Sequence, residues 1–151
     1  MLFSFLHLLS LALWIGTILF FSAAVAPTLF KKMGKEEGGK VVSLLFPVYF
    51  RIGILCGLTA VLTLLLAPPK DSPFPIGRVL LLVIMTTITV YNTINVYPKA
   101  RSLKEELGST SEETLKPSLL EEFHRAHQYS VALNVVVLVL GLIVLFLMSR
   151  T

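Results

Sequence analysis

An all-α integral membrane bundle of four helices is the fold that this sequence predicts. Three observations predict it. The 151 residues are 55% hydrophobic and 15% charged, with a mean hydropathy of +0.82. A soluble domain of that length has too little interior to hide so much apolar side chain. Four apolar stretches, roughly 2–29, 42–67, 77–97 and 128–148, are each long enough for about 30 Å of hydrocarbon. Backbone in lipid must satisfy its own N–H and C=O groups, so such stretches form helices. One domain, 1–151, accommodates all four.

The first stretch reads as a retained span. Ala24-Val25-Ala26 has the small-x-small form of a signal cleavage site. However, no Lys or Arg precedes the apolar run, the run is too long for a signal segment, and Pro27 would follow the cut. A charged turn, Lys31 to Lys40, contains Gly34, Gly38 and Gly39 and leads into the second span. The second connection, Pro68-Pro69-Lys70-Asp71-Ser72-Pro73, is a tight proline-rich turn. After the third span Leu103 and Leu107 continue a helical stripe to Gly108, a natural stop. Pro117 suits the first turn of a new helix. Helices three and four are therefore expected to extend beyond the membrane as a hairpin, about 98–127, with residues 109–116 at its tip.

Charge sets the expected orientation. Loops one and three carry Lys31, Lys32, Lys35, Lys40, Lys99, Arg101, Lys104, Lys116 and Arg125, whereas the other side carries Lys70, Arg78 and Arg150. Basic residues favour the cytoplasmic side. This places the long hairpin in the cytoplasm and both termini outside, in a bacterial inner membrane. The net charge of +4 and pI near 9.4 do not indicate nucleic acid, because the basic residues form no face with interleaved aromatics. The lone cysteine, Cys56, lies in an apolar run and reads as packing.

Polar residues inside spans are costly unless satisfied, so they mark candidate sites. Helix one carries His7, Ser10, Trp14 and Thr17 on one stripe, with small Ala12, Gly16 and Ala23 opposite. Helix two holds Arg51, a fixed charge with no acid in any span to pair with it. Snorkelling to the interface is its bland explanation, and an anionic ligand the sharper one. Gly53 and Gly57, in a GxxxG spacing, suit close helix packing within the bundle or between protomers. Helix three presents Tyr91 and Asn95, with Asn92 to the side; helix four presents His124, His127, Ser130 and Asn134. Arg51, Tyr91, Asn92, Asn95, His124, His127 and Asn134 all belong to the cytoplasmic half, where one shared ligand pocket is geometrically allowed. His7 starts from the outer end, on the order of 25 Å away at 1.5 Å per residue. Candidate metal ligands are His7, His124 and His127, in two groups that do not meet within a protomer.

Several of these residues carry a resemblance. His7 with Trp14-Ile15-Gly16, then Ala26-Pro27 with Leu29-Phe30, then Phe46-Pro47 with Tyr49-Phe50, resemble the bacterial family called domain of unknown function 4149. That family is similar to eukaryotic transmembrane protein 205. The resemblance implies a four-helix membrane protein; the eukaryotic relatives' association with platinum tolerance implies handling of metal or small solutes. A more distant likeness, through the first-span His, is to the CopD copper-resistance proteins and HemJ protoporphyrinogen oxidases. The HemJ likeness implies haem at His7. The third span departs from it, since its lysine, Lys99, stands at the cytoplasmic end.

Three readings stay open. The first is a module that binds or transports a small solute, anion or metal complex through the cytoplasmic-half pocket. The second is a HemJ-like haem oxidoreductase with His7 as ligand. The third is a structural or assembly protein whose polar residues only join helices and whose projecting hairpin docks a partner. Under any of them the bilayer is a partner, and a second copy of the chain is a possible one. The sequence leans away from an enzyme: it holds no phosphate loop, zincin motif or nucleophile elbow.

Overall fold

The computed structural model describes residues 1–68 and 75–149. Residues 69–73 of the expected proline-rich turn, with Lys70, and Arg150 lie outside the described residues. All regular structure among the described residues is helical. Helix α1 is Leu2–Phe20, α2 Ala26–Leu66, α3 Pro75–Tyr91, α4 Tyr97–Ser109 and α5 Lys116–Met148. Two wide π-helical turns, Phe21–Val25 and Asn92–Val96, join α1 to α2 and α3 to α4. Three helical stretches, Leu2–Leu66, Ile76–Ser109 and Lys116–Met148, are long and apolar enough to cross a membrane. The chain is a helical membrane protein on those grounds.

The first of these stretches doubles back. Gly34, at φ 77° and ψ 176°, leaves helical geometry inside α2. That region of backbone space belongs to glycine. The charged turn expected over 31–40 thus narrows to one residue, with helix on both sides. Gly38 is what lets the arms close so soon, because a Cβ there would stand 2.9 Å from the Leu29 carbonyl oxygen. Beyond the turn the arms run antiparallel. Phe21 packs on Tyr49, Trp14 on Gly53 and Gly57, and His7 on Ala60 and Thr63.

Both π turns have the same cause. Pro27 and Pro98 each follow two residues after a wide turn. A proline ring collides with the carbonyl four residues back and offers no N–H to it. Widening the preceding turn relieves the collision.

In lipid, apolar surface gains little from meeting other apolar surface, so close packing and hydrogen bonds hold the helices together. Trp14, 2% exposed, fills the groove that Gly53 and Gly57 open. A Cβ on Gly57 would lie 2.9 Å from the indole and 2.6 Å from the Thr86 hydroxyl. The GxxxG surface is therefore spent inside the bundle, against α1 and α3. Gly141 does the same for α5, admitting Ile15 and Met85. By contrast Gly16 has no neighbour within 4 Å and faces outward with Ala12. Buried Asn92 and Ser130 tie α5 to the second π turn reciprocally. The Ser130 hydroxyl donates to Asn92 Oδ1 at 2.8 Å, and Asn92 Nδ2 donates to the Ser130 carbonyl at 3.1 Å. Arg78 donates to the Leu147 carbonyl, one of the last-turn acceptors that a helix leaves unpaired.

Candidate functional site

Helix α4, the start of α5 and the Gly34 turn gather at one end of the bundle, which carries most of the basic residues. Pro47 organises that end. It cannot donate to the Ser43 carbonyl four residues earlier, and the Tyr97 hydroxyl donates there instead, at 3.1 Å. Lys104 Nζ donates to the Gly39 carbonyl at 2.7 Å and to Ser43 Oγ at 3.1 Å. A Cβ on Gly39 would sit 3.0 Å from that nitrogen, so the bare glycine lets the ammonium reach. Two acceptors leave the third ammonium N–H for another partner. Burial, and next the charge of Lys40, hold the Lys104 pKa below the usual lysine range.

These contacts frame a cavity of about 550 Å³. Its cations are Lys35, Arg101 and Lys104; its rings are Phe30, Phe46, Tyr97 and Phe123; His124 and His127 face it from α5. No carboxylate is among the lining residues. Arg101 Nε is held by Glu105 at 2.8 Å on the exposed side, which leaves other guanidinium N–H groups in place. Phe123 stacks on His127, with ring centres 5.9 Å apart and planes 18° from parallel. Phe46 stacks on Phe50 and tilts against Tyr97. A groove of about 270 Å³ continues from this cavity along α1 and α5. Phe30, Val42, Phe46, His127 and Ser130 line both spaces.

The seven residues expected to share a pocket are divided among four places. His124 and His127 line the basic cavity, and Asn134 lines its groove. Tyr91 and Asn95 line a separate surface cleft of about 580 Å³, with Lys99, Glu122 and Arg125. Asn92 is consumed by Ser130. Arg51 is exposed and turns its Nε back to the Pro47 carbonyl, at 3.2 Å. Sequence reasoning did not select Lys35, Tyr97, Arg101 or Lys104. One signal was available: a proline inside a helix frees a carbonyl, and a donor must come from elsewhere.

The three histidines stand at opposite ends. His7 is 5% exposed, and its Nδ1 lies 3.0 Å from the Ala60 carbonyl oxygen and 3.1 Å from Thr63 Oγ1. A carbonyl only accepts, so Nδ1 carries the proton and Nε2 the lone pair. Nε2 is buried without a hydrogen-bond partner. A metal-binding histidine has this tautomer, and His7 lines a neighbouring cavity. Arg78, a cation, lines the adjoining 310 Å³ cavity. Among the described residues no group of three or more His, Cys, Asp or Glu could hold a metal ion.

The residues that shape this architecture include Trp14, Pro27, Phe46, Pro47 and Tyr49. Residues 9–109 match the domain of unknown function DUF4149. The chain belongs to this family. The DUF4149 match takes in Lys35, Tyr97, Arg101 and Lys104 and stops short of α5, which brings His124 and His127 to the cavity. Over 50 residues the chain is 52% identical to an uncharacterized protein of Aquifex aeolicus (strain VF5), covering 33% of this chain and 36% of that relative. The chain thus aligns with about a third of that relative's length. No solved structure matches this DUF4149 chain.

Proposed function

We propose that the chain crosses the bacterial inner membrane four times, with its basic end in the cytoplasm, and that the basic cavity binds a small anion with an apolar body. The two arms of Leu2–Leu66 around Gly34 supply spans one and two. Helices α3 and α5 supply the others, and α4 with the start of α5 forms a hairpin beyond the membrane. Nine basic residues at one end support the orientation.

One observation carries the binding reading: three cations and two imidazoles converge on an aromatic-walled space with no carboxylate in its lining. Charged donors attract an anion, and the rings suit an apolar body. Phenyl phosphate is a fitting probe. Isothermal titration of the protein in neutral detergent should give saturable binding. Lys104→Ala should weaken it about 10- to 100-fold, the equivalent of ~1.5–3 kcal/mol for a charge-assisted hydrogen bond. Arg51→Ala, away from the cavity, should leave it unchanged. Equal loss in both variants, or no saturable binding, would rule the cavity out.

A structural role has one observation in its favour, the mutual satisfaction of Asn92 and Ser130. It expects both substitutions to leave phenyl phosphate at background.

A further inference from the structure

The basic cavity and its groove form one L-shaped space with a polar mouth and an apolar limb. Lys35, Arg101 and Lys104 stand at the mouth. The limb is lined by Ile18 and Phe21 on one side and by Val131, Val135 and Leu138 on the other. Its far wall reaches the outer surface of the bundle, since Val131 is 46% and Val135 52% exposed. The limb therefore opens sideways between α1 and α5, towards lipid.

The dimensions match one kind of occupant. From Phe30, at the mouth, to Ile18, at the limb's end, is 12 residues, or about 18 Å of helix. Half of a bilayer's hydrocarbon core is about 15 Å thick. With the proposed orientation the limb runs the depth of one leaflet, and its cationic mouth stands at the level of that leaflet's phosphates. A freely soluble anion would use the mouth alone and leave the limb without purpose.

We infer that the space holds an anionic phospholipid of the cytoplasmic leaflet, its phosphate among Lys35, Arg101 and Lys104 and one acyl chain between α1 and α5. This rests on the anion-binding reading above and names the class of its ligand. A neutral zwitterionic lipid would bring its own cation to a carboxylate-free mouth and should be disfavoured.

The test uses the full chain, reconstituted with vesicles of equal phosphatidylglycerol and phosphatidylcholine, extracted in neutral detergent and weighed intact by native mass spectrometry. The expected result is retained phosphatidylglycerol, about one per chain, over phosphatidylcholine. Arg101→Ala with Lys104→Ala should reduce retention at least tenfold. Val131→Phe with Val135→Phe fills the limb, leaves every cation in place and should do the same. Val139→Phe, on the same helix but away from the limb, should retain lipid as the parent does. Phenyl phosphate titration of each variant separates the two ideas. If the limb-filled variant binds phenyl phosphate normally and has lost the lipid, the inference stands. If that variant keeps the lipid, or the parent retains both lipids equally, the inference is overturned while the anion site survives. If the parent binds neither phenyl phosphate nor phosphatidylglycerol, both are overturned.

Discussion

Tyr97→Phe removes one oxygen and should cost far more than an oxygen usually does, provided that Pro47 is present. The Tyr97 hydroxyl lies 3.1 Å from the Ser43 carbonyl oxygen, an acceptor that Pro47 leaves without its helical donor. Without the Tyr97 hydroxyl that part-buried carbonyl loses the donor that replaces its helical one. The expected loss is ~1–3 kcal/mol, the range for stranding a buried polar group. In a Pro47→Ala background the new amide at position 47 serves Ser43, and the same Tyr97→Phe change should then cost under ~1 kcal/mol. The coupling between the two sites should be ~1–2 kcal/mol, inside the range for residues that share a partner. The measurement is a double-mutant cycle on unfolding by sodium dodecyl sulfate in mixed micelles. Trp14, the sole tryptophan and deeply buried, reports the transition. If Tyr97→Phe costs the same in both backgrounds within about 0.3 kcal/mol, the freed carbonyl is not what Tyr97 serves.

Three further outcomes are expected. Gly57→Leu, which drives a Cβ into Trp14 and Thr86, should destabilise by ~1–3 kcal/mol, whereas Gly16→Leu, with open space around it, should stay within ~0.5 kcal/mol; the same micelle titration checks both. Asn92→Leu strands the Ser130 hydroxyl and should cost ~1–3 kcal/mol, while Asn92→Leu with Ser130→Ala should recover part of that loss in the cycle. Phenyl phosphate affinity should hold near neutral pH and begin to fall, as pH rises, below the usual lysine range, because burial and Lys40 favour the neutral amine of Lys104. The sign is opposite for folding. A lysine pKa lowered in the folded state adds stability as pH climbs through that range, so binding and stability should part company there. Lys104→Arg, which keeps its charge, should abolish the early fall in titrations at stepped pH.

Much of the fold was legible because lipid imposes simple rules on composition. The apolar lengths pointed to long helices, and Gly108 and Pro117 stand beside the helix ends at Ser109 and Lys116. The turn after the first span was read too wide. The reason is that charge and three glycines resemble a loop, while Gly34 alone needs non-helical backbone and Gly38 serves close packing. The candidate site was less legible. Polar residues within apolar runs drew attention first, and several of these, Asn92 above all, are satisfied by neighbours that no single sequence reveals. The cavity's cations, Lys35, Arg101 and Lys104, lie in charged stretches where sequence offers no contrast. They meet because α4 packs on α5 and Lys104 reaches across to Gly39 and Ser43 of α2. The resemblance drew attention to Phe46, Pro47 and Tyr49 as a motif without a purpose; in the structure Pro47 leaves a carbonyl to which Tyr97 donates.

The wide turn at Phe21–Val25 also decides the shape of the limb beside it. On an ordinary α-helix, side chains taken every fourth residue wind steadily round the axis, about 40° per step. An i→i+5 turn packs more residues into each revolution, so steps of four fall nearer one line. Ile18, Ser22, Ala26 and Phe30 are spaced by four and all face the same groove. A regular helix would have turned the wall away like a screw thread; the inserted width makes it a straight gutter instead. Straightness here is written by Pro27, a residue that never touches whatever the gutter carries.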